Sequence, residues 1–294
     1  MRYALYDDLH TEFDLWTPPP RHDVDVMFFA GDIAKNPRDL RAFAERVESE
    51  QPDNVKDIVF VAGNHEFYDD ARVKFGEQGY QRYRDSMQGL RRSVFLEQET
   101  YQLSNGWTVI GSTLWTDLSN PISESVARSQ MNDYKNITLE KDGKYRKLAP
   151  HDTTMWHRKS VAFIKEALER TDPERTVLLT HHSPVQYGLS LHHESDNFSL
   201  LDMYGARLEN LISAYQPALA LHGHTHRTCH RTIGDTWIAN NPRGYELGPN
   251  PHNQEKQPLK WEAFEKDHAG ALNADFDPLF FRETGRMAER ARGR

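Results

Sequence analysis

Cysteine is nearly absent: Cys229 is the single one in 294 residues. An internal disulfide and a thiolate metal cage are thereby excluded, and a reducing compartment suits the chain. Long apolar runs are missing too. None approaches the roughly 18 residues of a membrane span. The first strand-like segment meets Asp7 and Asp8 so soon that it leaves no room for a leader, and a cytoplasmic protein is expected. Positive charge is in deficit, with 36 Lys and Arg against 44 Asp and Glu and a formal charge of −8. Tight nonspecific binding to nucleic acid needs a basic surface that displaces counterions, so that kind of partner is disfavoured. Internal repeats and low-complexity tracts are absent. The length suffices for a sizeable core and fits one large α/β domain.

What is present is a set of polar clusters, each placed directly after a short apolar run. Ile58-Val59-Phe60-Val61-Ala62 reads as a buried parallel strand and ends at Gly63-Asn64-His65-Glu66. In the same way Asp8-Leu9-His10 follows Tyr3 to Tyr6, and Gly31-Asp32 follows Val24 to Ala30. His181-His182-Ser183-Pro184 follows Thr176 to Thr180, and Gly223-His224-Thr225-His226 follows Ala218 to Leu221. Open α/β sheets bind their ligands at such strand ends. Five strands are therefore expected to deliver polar groups to one rim.

The segments between them carry helical spacing. Asn36-Pro37 reads as an N-cap followed by proline at the first helical position, with Leu40, Phe43, Ala44 and Val47 behind it. Tyr80, Tyr83, Met87 and Leu90 mark a second helix, Asp152 to Arg170 a third, and Leu208, Leu211, Ile212 and Tyr215 a fourth. From Val94 to Leu114 short β-like runs flank an Asn105-Gly106 hairpin turn, which predicts a second, antiparallel sheet. Residues 115–150 are polar, with a turn at Asp142-Gly143, and read as an irregular functional loop or small cap. Beyond the Thr236 to Ala239 strand and the Asn241-Pro242-Arg243-Gly244-Tyr245 turn, composition becomes polar from Pro249 to about Lys260. The expected organisation is a domain over 1–248 with a C-terminal extension over 249–294, frayed from Glu283 onward.

The residue types at the strand ends suit metal ligation. Asp8 and His10 are two apart, as are His224 and His226, and on an extended segment such pairs point the same way. Asp32 offers two oxygens able to bridge two cations, Asn64 a carbonyl oxygen, and His181 a ring nitrogen, with His182 beside it as the alternative. Mixed oxygen and imidazole ligation without sulfur suits Mn, Fe, Zn or Ni better than calcium. Seven candidate ligands are too many for one ion.

In their order Asp-x-His, Gly-Asp, Gly-Asn-His-Glu, His-His-x-Pro and Gly-His-x-His resemble the motifs of the calcineurin-like metallophosphoesterases. The resemblance runs from about Asp7 to Tyr245. Leu114-Trp115-Thr116-Asp117, Met131-Asn132-Asp133-Tyr134 and the Asn241 to Tyr245 turn are similar to those of a bacterial and phage-type branch. The resemblance implies a four-layer α/β/β/α sandwich of two mixed β-sheets flanked by helices. It implies one metal held by Asp8, His10, Asp32 and His226 and another by Asp32, Asn64, His181 and His224. It further implies hydrolysis of a phosphomonoester or phosphodiester by a hydroxide bridging the two ions, with His65 stabilising phosphoryl oxygens or protonating the leaving group. Manganese is the first choice of metal, and a small nucleotide-like substrate is expected. A nuclease acting on DNA or RNA and a non-catalytic metal-binding scaffold are the alternatives. Trp115 and Tyr134 are expected to wall the substrate, together with Arg243. Asp7 departs from the family pattern, which has serine there, and reads either as an acceptor beside the site or as a solvated charge.

Overall fold

A computed structural model describes residues 1–68, 75–118, 121–141, 143–186, 198–245, 276–277, 280 and 282–283. The chain opens with β1 (Arg2–Tyr6), β2 (Val26–Ala30), α1 (Pro37–Glu50), β3 (Asp57–Val61), α2 (Glu77–Ser86) and β4 (Ser93–Leu96). A hairpin of β5 (Glu99–Gln102) and β6 (Thr108–Ser112) follows, then α3 (Pro121–Gln130), α4 (Asp133–Asn136), β7 (Thr138–Lys141) and β8 (Lys144–Lys147). The remaining elements are α5 (Pro150–Leu168), β9 (Thr176–Thr180), α6 (Phe198–Tyr204), α7 (Glu209–Tyr215), β10 (Leu219–Leu221), β11 (Arg231–Ile233), β12 (Thr236–Ala239) and β13 (Arg282–Glu283). No helix among the described residues is long and apolar enough to cross a membrane.

Strand alternation decides the layering. The first sheet has the order β13-β1-β2-β3-β4 and the second β11-β12-β10-β9-β6-β5. Tyr3, Leu5, Val26, Phe28, Val59 and Val61 on one face of the first sheet meet Val109, Val177, Leu179, Leu219 and Leu221 of the second, forming the central core. The opposite face of the first sheet, with Tyr6, Met27, Phe29, Ile58 and Phe60, is covered by Leu40, Phe43, Ala44 and Val47 of α1 and by Tyr80 and Tyr83 of α2. Ile110, Leu178, Ala220 and Ile238 of the second sheet pack likewise against Ile164, Ala167 and Leu168 of α5 and Ile212 of α7. Strands buried on both faces must be apolar throughout, which is why the runs read as continuous. The result is the expected four-layer sandwich of two mixed sheets.

Three readings need correction. The second sheet is not antiparallel: β6, β9, β10 and β12 run parallel, and only the edge strands β5 and β11 are antiparallel. The β-like stretch after Ser93 is divided between sheets, β4 pairing parallel with β3 while the Asn105-Gly106 hairpin opens the second sheet. Residues 121–147 are not irregular, since they form α3, α4 and the β7–β8 hairpin. Their polar surface residues hid the short amphipathic pieces, of which Ala127 and Ile137 are the buried anchors. Residue 142 of the predicted turn, the polar stretch from 249 to 260 and residues 284–294 lie outside the described residues, whereas β13 brings Glu283 beside β1.

Candidate metal centre

Every strand-end cluster opens on the same rim, and the backbone there is unlike a strand. Asp8, His10, Asp32, His224 and His226 all adopt positive φ, between 47° and 71°. This left-handed region is rare for residues with a side chain and concentrates at functional sites. The i, i+2 pairs therefore converge by turning, not by lying on extended segments as the sequence suggested. Segment 8–11 runs beside 31–33, with Asp8 N donating to Gly31 O at 3.1 Å and His10 N to Asp32 O at 2.9 Å. Glycine is required where the turns cross: a Cβ on Gly63 would lie 2.1 Å from Asp32 Oδ1, and one on Gly31 2.5 Å from His181 Nδ1.

Two donor sets share Asp32. Ligand atoms of Asp8, His10, Asp32 and His226 lie within 4.8 Å of one another, as do those of Asp32, His181 and His224. His10 Nε2 is 3.8 Å from Asp32 Oδ2, while His181 Nε2 is 3.6 Å from Asp32 Oδ1, so each carboxylate oxygen serves one set. His10 Nε2 and His226 Nε2 are 3.0 Å apart, and His226 Nε2 is 3.6 Å from Asp8 Oδ1. On the other side His181 Nε2 lies 3.0 Å from Asn64 Oδ1 and 3.2 Å from His224 Nδ1. His182 turns away, its Nδ1 meeting Thr113 O at 3.2 Å, so His181 is the residue that joins the cluster.

The arrangement fits cations. Burial, and next the neighbouring His182, holds the His181 imidazole well below its ordinary pKa, so the ring is neutral. Its Nδ1 donates to the Ala30 carbonyl at 2.9 Å, which leaves a lone pair on Nε2. Asn64 Nδ2 donates to Asp133 Oδ1 at 2.9 Å, which turns the amide oxygen toward His181. Two acceptors thus face each other at 3.0 Å, a repulsive contact unless a positive ion joins them. The carboxylates agree. Burial, and then the charge of Asp7 for Asp8 and of Glu66 for Asp32, raises both well above the carboxylate range. Bound cations reverse that cost.

Several functional residues escaped the sequence reading. Glu12 Oε1 lies 3.3 Å from His10 Nδ1 and 2.9 Å from His65 Nδ1. Burial opposes its charge, but the hydrogen bonds from both rings hold it below the ordinary range. An ionised carboxylate accepts only, so both rings carry Nδ1–H and present Nε2 to the site. His65 Nε2 lies 3.2 Å from the Tyr245 hydroxyl, and the Tyr245 ring sits over His10 and His226 at 4.3 and 4.5 Å. Glu66 is wholly buried and accepts from Asp32 N, Ile33 N, Ala34 N and Gly63 N, tying two motif turns together. Glu12 was detectable, because it continues the two-residue spacing of Asp8 and His10.

The expected substrate wall lies elsewhere. Trp115 is buried, with Nε1 donating to the Tyr80 hydroxyl at 3.1 Å and its ring against Phe75 and His182, so no face is open to a base. Tyr134 packs inward and shares a 3.0 Å hydrogen bond with Thr153 Oγ1. Arg243 is likewise buried and donates to Asp14 Oδ2 at 2.8 Å, fixing the loop after His10. Asp7 is not a solvated charge: it is buried, accepts from Asn241 N at 2.7 Å, and is pushed up to about 8 chiefly by burial.

The sequence model of the family described as calcineurin-like phosphoesterase matches residues 2–228. An uncharacterised protein of Acanthamoeba polyphaga mimivirus is 27% identical over 274 residues, spanning 86% of this chain and 95% of its own. The crystal structure of a phosphopantetheinyl hydrolase from Mycobacterium tuberculosis shares the fold, with a TM-score of 0.61, 17% identity, and coverage of 88% of this chain and 93% of that one.

Proposed function

We propose that this chain, which belongs to the calcineurin-like phosphoesterase family, is a dinuclear metal-dependent hydrolase of small phosphoesters. The observation that carries the reading is the Asp32 carboxylate, whose two oxygens face two separate donor sets. Asp8, His10, Asp32 and His226 would hold one ion, and Asp32, Asn64, His181 and His224 the other, with manganese favoured by the mixed oxygen and nitrogen donors. Two such ions supply a nucleophile drawn from water at neutral pH and positive charge for the phosphoryl oxygens.

The protein's own groups then have distinct tasks. Glu12 keeps the proton of His10 on Nδ1, so that Nε2 is free to ligate. It also accepts from His65 Nδ1–H, which orients the ring so that a proton carried on Nε2 would be donated to the phosphoryl or leaving-group oxygen beside the Tyr245 hydroxyl. The net charge of −8 favours a small substrate over long DNA or RNA, and the complete donor set argues against a non-catalytic scaffold.

The test is hydrolysis of nitrophenyl phosphate mono- and diesters, nucleotides, dinucleotides and oligonucleotides after chelation and after Mn²⁺ is restored. Activity should vanish and return, and metal analysis should find two ions per chain. Asp32→Asn should lose metal and activity together. His65→Ala should keep both ions while kcat falls by about 10²- to 10⁴-fold. Full turnover by exhaustively chelated protein would refute the proposal.

A further inference from the structure

We infer that Asp133 is a positioning residue for the second cation, and that the 115–150 segment folds to deliver it. The inference rests on the dinuclear reading above. An asparagine ligates a cation through oxygen only, yet its amide can present either oxygen or NH₂ by rotating about its last bond. In this site something must choose. Asp133 sits on α4, is almost wholly buried, and its Oδ1 accepts from Asn64 Nδ2 at 2.9 Å and from the Tyr68 hydroxyl at 2.5 Å. The Tyr68 hydroxyl also stands 3.2 Å from Asn64 Nδ2. With the amide reversed, Asn64 Oδ1 would meet a carboxylate oxygen, and NH₂ would face the second donor set. The geometry therefore locks Asn64 Oδ1 toward His181 Nε2.

This gives the inserted segment a role that neither Trp115 nor Tyr134 fills. α4 is a single turn, too short to be stable alone. It is held by Ile137, which is buried in the core with Leu148 and Trp156, and by the Leu148 N to Ile137 O hydrogen bond at 3.0 Å. Its docking on the main domain sets the distance between Asp133 and Asn64. Of the other donors to the second ion, His181 and His224 come from the opposite sheet, and the Asp133 carboxylate hydrogen-bonds to Asn64 and Tyr68, not to those histidines or to the bridging Asp32. The effect of Asp133 should accordingly fall on one ion and not on both.

An exchange of the two side chains tests this. Asp133→Asn lets the amide at 64 rotate and should weaken the second Mn²⁺ by about 10- to 100-fold, the usual effect of removing a ligand's hydrogen-bond partner. The first Mn²⁺ should bind as in the unaltered protein. Asn64→Asp alone places two carboxylates against each other and should also weaken the second ion. The double variant Asn64→Asp/Asp133→Asn restores one donor and one acceptor at unchanged net charge, and should recover most of the lost affinity. Mn²⁺ titration followed by electron paramagnetic resonance reads the spin-coupled pair directly, and thermal melts of the metal-free variants report folding. Wild-type affinity for both ions in Asp133→Asn overturns the inference, as does a double variant no better than either single one. Saturation of the unaltered protein below two ions would instead overturn the dinuclear reading itself and this inference with it.

Discussion

Glu66→Gln should destabilise the metal-free protein although it changes one atom. The Glu66 carboxylate is fully buried and accepts four backbone hydrogen bonds, Oε2 from Asp32 N at 3.0 Å and Gly63 N at 2.6 Å, and Oε1 from Ile33 N at 2.8 Å and Ala34 N at 3.2 Å. Whichever oxygen becomes NH₂, two backbone donors lose their acceptor and face another donor. Each buried donor left unmet costs about 1–3 kcal/mol, so the variant should lose roughly 2–6 kcal/mol. At about 2 °C per kcal/mol for a long chain, Tm should fall by about 4–12 °C. Urea and thermal unfolding of the metal-free protein measure this, free of any contribution from bound ions. The two turns that Glu66 joins carry Asp32 and Asn64, so affinity for the second ion should fall in parallel. A Tm within about 1 °C of the unaltered protein would show that the four N–H groups find other acceptors, and the reasoning would fail.

Trp115→Ala should act on stability and not on substrate binding. The ring is enclosed by Phe75 and His182, and truncating such a residue costs about 3–5 kcal/mol. An unchanged melting profile with a raised KM would restore Trp115 as a substrate wall. Asp152 at the start of α5 caps Ala149 N and pairs with Arg146. Burial opposes its charge, but the Arg146 hydrogen bond and then the Ala149 N–H hold the carboxyl below its ordinary value of 3.8. A depressed folded pKa gives stability that is present above the unfolded value and lost as pH falls through the folded one. Asp152→Asn should therefore be less stable than the unaltered protein at pH 7, with the gap closing below about pH 4. A gap independent of pH would remove the carboxylate charge from the account.

The chain order of apolar runs and polar clusters determined much of this protein by itself. A strand buried on both faces must be apolar along its length, and the turn after it is the one place where that strand can display a polar group. Asp8, His10, Asp32, Asn64, His65, His181, His224 and His226 were therefore legible as residues on one rim. The tautomer and orientation of those groups were not legible. Asp133 meets Asn64 across 69 residues and Glu66 meets turns on two strands, neither of which leaves a periodic trace, and the two-residue spacing that reaches Glu12 does not tell that it meets His10 and His65. The aromatic residues misled for the same reason. Trp115 and Tyr134 look available in a polar stretch, and only the docking of α3, α4 and the β7–β8 hairpin shows them facing inward. Local spacing reports which residues emerge at a strand end, because that follows from backbone geometry. Which hydrogen-bond partner fixes each of them depends on contacts between distant segments, and those exist only once the layers have packed.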